Sequence, residues 1–398
     1  MKILYTNFHS GDGGGHTTYL VSLARALSAR HQLFMAAPDN SRVLRVVRDE
    51  GSAEPLDIAF SSGLPTLPQQ WADMRRLRHL VQQHRIDIVH ANGARDHRVM
   101  MEAVAGPAHR PKMVFTKHNS KPSNTFGNSL RARWGTDRVI AVSAHTRQML
   151  LDSPYRRCPI DVVRNGVDLA RFAPVDASAG AALRARWTTD PDALVMVSNA
   201  GTDGHKGWID LVEAVATLPE PIRGHIHVAV AGRDADPRLL ARVAALGLGA
   251  QVHLPGLLED IRPFVASGDA GFVLSHDVET ISFACREMMA MGTPVMVSDY
   301  AGLPENIDHG QDGWIVPVRN IPAIAAQLAQ LYAQRHDLAR IGVAARARAV
   351  REFGLGHVHW PDRSQLRRRP TGRLNRAQSA RRLRTGSDRA RNTATQVA

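Results

Sequence analysis

Cysteine is nearly absent from this chain of 398 residues, which contains two, Cys158 and Cys285. Two cysteines fit neither a disulfide framework nor a cysteine-based zinc site, and they are most simply explained by a protein that resides in a reducing compartment. Long apolar runs are missing too. No stretch reaches the roughly 18 apolar residues of a membrane-spanning helix, and the run at residues 3–5 is too short for a signal peptide. We therefore expect a cytoplasmic protein.

Several catalytic signatures are also missing. The acids and histidines show no spacing typical of a metal site, and nothing resembles a Ser-His-Asp or Cys-His arrangement. Residues 10–18 are rich in glycine, but they lack the spacing of the dinucleotide-binding fingerprint. The sequence thus predicts no bound metal, no nucleophilic triad and no nicotinamide cofactor.

Acidic residues are scarce at the carboxyl terminus. Residues 357–398 hold eleven Arg, no Lys and two Asp, so they contribute +9 (11 − 2) to the net charge of +13 and leave +4 for the rest. Few apolar residues occur there, and such a segment cannot bury enough surface to fold alone. It fits a basic arm for anionic lipid, a nucleic-acid-binding arm or the product of a shifted reading frame, and we favour the last.

The body of the chain alternates strand and helix patterns in each half. Predicted strands lie at residues 2–5, 32–36, 86–90, 112–116 and 138–143, and again at 194–198, 225–231, 252–256, 270–274 and 295–298. This alternation predicts an α/β protein whose parallel sheets are covered by helices on both faces. Ligands of such sheets bind at the carboxyl ends of the strands.

Residues 278–300 carry the most specific pattern. Ser282 is a good N-cap, so a helix is predicted from there to Gly292. Glu279 then lies on the loop that enters the helix and Glu287 in its second turn, so both carboxylates approach the free N–H groups at the helix start. A phosphate fits that helix end, and hydroxyls fit the carboxylates. Phosphate beside a polyol describes a sugar nucleotide, whereas the alternative is a solvated helix face.

The complete string resembles a known signature. Glu279-x7-Glu287, followed by Met-Gly-Thr-Pro-Val at residues 291–295 and Ser-Asp at 298–299, resembles the donor site of retaining glycosyltransferases of the GT-B fold, family 4. Gly-Leu-Pro-Glu-Asn at 302–306 and Asp-Gly at 312–313 stand in family-like positions. The resemblance covers roughly residues 1–353. It implies two Rossmann-like domains that face each other across a cleft.

The resemblance also implies roles for individual residues within the segment 278–300. Glu287 would accept hydrogen bonds from the nucleotide ribose, and Glu279 would hold hydroxyls of the donor sugar. Backbone N–H groups of Thr280, Ile281 and Ser282 would bind phosphate. The predicted donor site therefore combines two carboxylates with a helix N-terminus.

A second set of donor contacts is implied in the loop after the strand at 194–198. Lys206 matches a lysine that clamps the donor diphosphate in the family. The arginine that usually precedes it is absent, so either His205 or Arg233 is the candidate substitute. Leu257 marks the wall that would hold the nucleobase, where backbone groups would read the base edge.

In the first half, the resemblance implies that the glycine-rich loop faces the cleft, so that Gly13, Gly14 and Gly15 contact phosphate or acceptor. His118 follows a strand at a position where the family places a histidine close to the reacting sugar carbon. Its role would be to hydrogen-bond a donor hydroxyl or to stabilise charge as the glycosidic bond breaks. We expect His118, Glu279 and Lys206 to be the catalytic group.

Three segments are predicted along the chain. Residues 1–168 would form the acceptor-side domain, residues 169–353 the nucleotide-sugar domain, and residues 354–398 a disordered arginine-rich tail. Asn165-Gly166 is a turn pair suited to a hinge between the first two. The boundary is therefore placed near residue 168.

The expected function is transfer of a sugar from a nucleoside-diphosphate sugar to a lipopolysaccharide or other surface-glycan precursor, with retention of configuration and without metal. The nucleotide sugar is a co-substrate, so no cofactor is expected. Expected partners are the glycan or lipid-linked acceptor and the anionic inner face of the cytoplasmic membrane, without specific nucleic acid. Two alternatives stay open, a sugar-nucleotide epimerase on the same fold and a nucleic-acid- or membrane-binding protein that acts through the basic tail.

Overall fold

The structure is a computed structural model that describes residues 1–12, 14–106 and 109–357. Gly13 and nearly all of the predicted tail, residues 358–398, lie outside the described residues. The prediction of a disordered arginine-rich tail therefore stays a prediction.

The first half of the chain forms a seven-stranded parallel sheet with the order β3-β2-β1-β4-β5-β6-β7. Its strands are β1 (Lys2–Thr6), β2 (Gln32–Ala37), β3 (Glu54–Asp57), β4 (Ile88–Ala91), β5 (Lys112–Lys117), β6 (Arg138–Ala141) and β7 (Ile160–Val162). The central strands β1 and β4 are almost entirely buried, as expected for a sheet with helices on both faces.

The second half forms a six-stranded parallel sheet with the order β10-β9-β8-β11-β12-β13. Its strands are β8 (Leu194–Ser198), β9 (Ile226–Ala231), β10 (Val252–Gly256), β11 (Ala270–Val273), β12 (Val295–Ser298) and β13 (Gly313–Val316). Alternate residues of β8 join two different apolar cores: Leu194 and Met196 pack with Trp208 and Phe272, whereas Val195 and Val197 pack on the other face. Period-two alternation places a core on each face.

Helices connect the strands in both halves. The first half contains α1 (Gly15–Leu27), α2 (Arg42–Glu50), α3 (Leu67–His84), α4 (Ala94–Ala103), α5 (Phe126–Trp134) and α6 (Ala144–Leu151). The remainder contains α7 (Ala177–Arg184), α8 (Trp208–Thr217), α9 (Glu220–Arg223), α10 (Pro237–Ala245), α11 (Arg262–Ala266), α12 (Phe283–Ala290), α13 (Ile321–Ala333) and α14 (Leu338–Arg348). The α/β prediction with two parallel sheets is confirmed.

Some elements differ from the sequence prediction. Helix α4 was not predicted because its inward face carries the polar residues Asp96 and His97, both fully buried. Residues 71–84 carry an amphipathic pattern that predicts a helix, and α3 begins one turn earlier, with a proline in its first turn, a position that tolerates the missing N–H. Buried polar side chains and a proline in the first turn both interrupt the apolar periodicity from which a helix is predicted.

The segment between the two sheets runs from β7 to α7. Val167 donates its backbone N–H to the carbonyl of Phe353 at 2.7 Å, so the end of the described chain lies beside this crossing. The predicted boundary near residue 168 falls in this segment and stays a prediction. Among the described residues, no helix is both long and apolar enough to cross a membrane.

Candidate functional site

A cavity of about 640 Å³ lies between the two halves and is lined by residues of both. Eight of the predicted site residues line it: Gly14, Gly15 and His118 from the first half, and Lys206, Glu279, Thr280, Ser282 and Glu287 from the second. They follow strands or begin helices, which is where the fold places ligand contacts. The structure thus brings together most of the predicted site.

Two helix N-termini meet at this cavity. Helix α12 is capped by Ser282, whose Oγ accepts a hydrogen bond from the Cys285 N–H at 3.3 Å. Helix α1 begins after Gly14 without a side-chain cap. A Cβ on Gly15 would lie 3.4 Å from a ring carbon of Phe283, the first residue of α12. The positive ends of both helices therefore approach the same space, which favours an anion.

The loop that leads into α12 has an unusual backbone. Val278 and Ser282 have φ of 48° and 43°, in the left-handed region that residues with a Cβ seldom adopt. Such conformations are maintained where the surroundings determine them, and they concentrate at ligand sites. Glu279 and Thr280 lie between these two residues and line the cavity.

Glu279 forms an ion pair with Lys206 inside the cavity. Lys206 Nζ lies 3.0 Å from Glu279 Oε2, and the two side chains are 18% and 11% exposed. Ser275 Oγ donates to the same oxygen at 3.4 Å, and the Thr280 N–H donates to Oε1 at 3.1 Å. The carboxylate is thus fixed by three donors, and it in turn holds the lysine ammonium in the cavity.

Glu287 is held by a residue that the sequence did not single out. Asn199 Nδ2 donates to Glu287 Oε2 at 2.8 Å. Burial raises the pKa of the Glu287 carboxyl to about 7, against the hydrogen bond from Asn199 and the charges of Arg171 and Arg42. A carboxyl group with this pKa changes charge near neutral pH.

His118 lies on the opposite wall at the end of β5. Its Nε2 lies 3.1 Å from Asn92 Oδ1, and its ring is tilted against that of His16 and edge-on to that of Tyr19, with centroid distances of 4.5 and 4.7 Å. Burial first, and then nearby His16 and other bases, lower the pKa of His118 well below its ordinary value. The imidazole is therefore neutral at physiological pH.

The two halves are also joined by direct hydrogen bonds around the cavity. Thr280 Oγ1 donates to the carbonyl of His118 at 3.2 Å, and Ser120 Oγ lies 3.0 Å from the Tyr300 hydroxyl. Glu305 accepts the first two N–H groups of α6, from residues 144 and 145, at 2.9 Å each. A carboxylate at a helix N-terminus is favourable, so this contact holds the halves in one orientation.

Four predicted residues do not line the cavity. Ile281 is buried, and its carbonyl accepts from Asn306 Nδ2 at 3.0 Å. His205 is partly buried, and its carbonyl accepts from the His276 N–H. Arg233 is exposed and lies 3.9 Å from Asp12, and Leu257 is 68% exposed. Their roles stay predictions.

Sequence reasoning missed several residues of the cavity walls. His9 and His16 line the cavity, with the His9 ring edge-on to His16 and the His16 ring tilted against His118. Asn199 holds Glu287, and Asn92, directly behind the wall, holds His118. Asn92 and Asn199 each directly follow a strand, β4 and β8, so their position at a carboxyl end was the available signal. Within the described ranges, no group of three or more His, Cys, Asp or Glu side chains is arranged to hold a metal ion.

Two family models match the chain. Residues 13–171 match the model described as Glycosyltransferase Family 4, and residues 191–334 match the model described as Glycosyl transferases group 1. Together they cover both halves of the fold and most of the cavity walls.

Known proteins similar to this chain are also named as enzymes that transfer sugars. The lipopolysaccharide core biosynthesis glycosyltransferase LpsE of Rhizobium meliloti (strain 1021) is 26% identical over 360 residues, which are 89% of this chain and 95% of that protein. A GDP-mannose-dependent alpha-(1-6)-phosphatidylinositol monomannoside mannosyltransferase of Mycobacterium tuberculosis (strain ATCC 25618 / H37Rv) is 25% identical, with coverage of 86% and 92%.

A solved structure with the same architecture is that of Anabaena Alr3699/HepE in complex with UDP and glucose. It superposes with a TM-score of 0.76 at 20% identity and covers 90% of this chain and 97% of its own. The two facing parallel-sheet halves and the cavity between them have the GT-B architecture of that structure. The matched family models define the protein as a glycosyltransferase. The chain belongs to glycosyltransferase family 4.

Proposed function

We propose that this glycosyltransferase moves a sugar from a nucleoside-diphosphate sugar to a glycan or lipid-linked acceptor, with retention of configuration. The observation that carries the proposal is the meeting of two helix N-termini beside the Lys206–Glu279 ion pair in one cavity. A diphosphate fits between the helices because their free N–H groups and dipoles favour negative charge. Donor-sugar and ribose hydroxyls fit the carboxylates of Glu279 and Glu287.

Lys206 and the helix ends supply the positive charge for the leaving group. The nucleoside diphosphate gains negative charge as the glycosidic bond breaks, and preorganised donors in a partly dry site stabilise that charge. In this proposal they serve in place of a metal ion. His118, on the opposite wall, contacts the donor sugar near the reacting carbon.

The direct test uses a panel of nucleotide sugars with the purified enzyme. Release of a free nucleoside diphosphate together with a glycosylated acceptor, and an anomeric configuration equal to that of the donor by NMR, would support the proposal. Conversion of the nucleotide sugar to its epimer without an acceptor would instead identify an epimerase. Thermal-shift measurements with UDP, GDP and ADP select the base first, because a ligand at 100 times its dissociation constant stabilises by about 2.7 kcal/mol.

The acceptor is proposed to be part of a surface glycan, because the similar proteins are named for a lipopolysaccharide core and a phosphatidylinositol mannoside. Contact with an anionic membrane would deliver such an acceptor. An exposed apolar face supports this contact: Leu64, Leu67 and Trp71 are 82%, 55% and 58% exposed. Arg75 lies 4.5 Å from the centre of the Trp71 ring. Asp73, the only acid in residues 58–86, is buried.

We expect Trp71→Glu to reduce binding to vesicles that contain anionic lipid by about tenfold, because it replaces an interfacial aromatic with a repelled charge. Co-sedimentation with anionic and with neutral vesicles measures this. Trp134→Glu is a matched control, since Trp134 is also 58% exposed and lies beside an arginine, but at the end of α5. Equal losses in both variants would contradict this surface, and loss only on removal of residues 358–398 would assign the contact to the tail.

We expect nucleotide affinity to rise about tenfold between pH 6 and pH 8. With a pKa of about 7, the carboxylate of Glu287 that accepts ribose hydroxyls is about one-eleventh ionised at the lower pH and ten-elevenths at the higher. Because the folded pKa exceeds the ordinary value of 4.5, the stabilising contribution of this group is present below pH 4.5 and is lost as the pH rises to about 7.

Isothermal titration calorimetry across this pH range measures the affinity. Glu287→Gln is the control, since it cannot titrate, and it separates Glu287 from ionisation of the ligand phosphate. An equal pH dependence in the enzyme and in this variant would show that Glu287 does not govern binding.

A further inference from the structure

Asn92 stands at the end of β4, directly behind His118, and is almost completely buried. Its backbone N–H donates to Asp96 Oδ2 at 2.9 Å, and Thr6 Oγ1 donates to the same oxygen at 2.6 Å. The next residue, Gly93, has no room for a side chain, since a Cβ would lie 2.3 Å from the Phe8 ring and 2.7 Å from Asp96 Oδ1. The backbone at Asn92 is thus fixed from both sides.

The side-chain amide of Asn92 can be oriented in one way only. Its Nδ2 lies 3.2 Å from the carbonyl oxygen of Thr6 and 3.1 Å from that of His90. Carbonyl oxygens accept and never donate, so the amide nitrogen must face them. The amide oxygen, Oδ1, therefore faces His118 Nε2 at 3.1 Å.

This orientation decides the tautomer of the neutral imidazole. An amide oxygen accepts hydrogen bonds, so the nitrogen facing it must carry the proton. With the proton on Nδ1 instead, two lone pairs would face each other in a buried place, and both acceptors would be left unsatisfied. The favoured form has a proton on Nε2 and a free lone pair on Nδ1.

We propose that Asn92 is a positioning residue that holds His118 as the Nε2–H tautomer. His118 then presents Nδ1 as a hydrogen-bond acceptor, which suits a hydroxyl group of the bound sugar and does not supply a cationic donor. Within the described ranges, no protein donor bonds to His118 Nδ1. The assignment of a sugar hydroxyl as its partner rests on the proposed function, whereas the tautomer does not.

The network around Asn92 extends to a third cavity residue. The ring of His16 lies 4.5 Å from that of His118, between centroids, and among the residues that the structure describes its Nδ1 has no hydrogen-bond partner. His118 is therefore flanked by the Asn92 amide and by the His16 imidazole.

The test is a long-range ¹H–¹⁵N NMR spectrum of the full chain labelled at histidine, with His118→Gln used to assign the His118 ring signals. In the unmodified enzyme, we expect Nε2 to resonate as a protonated nitrogen and Nδ1 as an unprotonated one. Asn92→Leu removes the acceptor, so the two shifts should move toward each other, and kcat/KM for sugar transfer should fall at least about tenfold.

Two further variants make the result specific. Asn92→Asp keeps an acceptor oxygen toward Nε2 and should retain the tautomer, while Asn199→Leu removes the amide that holds Glu287 and should leave the His118 signals unchanged. A protonated Nδ1 in the unmodified enzyme would overturn the proposal even if Asn92→Leu did not fold. So would identical His118 signals in a folded Asn92→Leu variant. If no nucleotide sugar reacts but the tautomer is found, the proposed function fails and the role of Asn92 stands.

Discussion

Replacing Lys206 with methionine is expected to lower kcat for sugar transfer by about 10²- to 10³-fold, the usual loss when one preorganised donor to developing negative charge is removed. Lys206 lies in the cavity that α1 and α12 face, paired with Glu279 at 3.0 Å. In our proposal its ammonium meets the charge that develops on the departing diphosphate. Steady-state kinetics with the donor selected by the thermal-shift screen measure the loss.

The same substitution also affects stability, which has to be separated from catalysis. Both side chains of the pair are mostly buried, and removal of one partner of such a pair can cost about 3–5 kcal/mol because the other charge is left uncompensated. The double variant Lys206→Met/Glu279→Gln removes both charges and should recover much of the thermal stability lost in the single variant. Its activity should stay low. Recovery of activity together with stability would contradict a direct role for Lys206.

The sequence was most informative where local rules and the fold agree. Ser282 caps α12 as predicted, and Glu279 and Glu287 both line the cavity because one stands in the entry loop and the other in the second turn. Strands such as β8 were evident from continuous apolar runs. These features depend on residues a few positions apart, which sequence periodicity can show.

The partners of these residues depend on distant parts of the chain. Asn199 meets Glu287 across 88 positions, and Asn92 meets His118 across 26. The raised pKa of Glu287 follows from burial that only packing creates. Nothing in the local pattern distinguishes these asparagines from others that follow strands, so the sequence could place them at the correct edge of the sheet without showing what they hold.

The orientation of the two halves was also beyond the sequence. Glu305 was predicted only as part of a family-like string, yet its carboxylate accepts two backbone N–H groups of α6 from the other half. Thr280 was predicted for its backbone N–H, and its hydroxyl bonds to the carbonyl of His118. Both contacts join the two halves of the chain. The relative position of these halves depends on many contacts between residues far apart in sequence.

Filling the gap between the two helix N-termini gives the largest expected loss of binding. Gly15 stands at the first position of α1, and a Cβ there would lie 3.4 Å and 3.6 Å from two ring carbons of Phe283. Gly15→Leu would extend apolar atoms into the space proposed for the diphosphate. Loss of two charge-assisted hydrogen bonds of about 1.5–3 kcal/mol each should weaken nucleotide binding by at least about a hundredfold, as measured by calorimetry.

Gly15→Ala provides the matched control because a distance of 3.4 Å is an ordinary van der Waals contact, so a single methyl group fits without movement of Phe283. Alanine also raises helix propensity at this position, so this variant should be at least as stable as the unmodified enzyme and should bind nucleotide with little change. Both variants leave the carboxylates, Lys206 and His118 intact. Undiminished binding in a folded Gly15→Leu variant would mean that the diphosphate lies elsewhere, and the helix ends would then lose their proposed role.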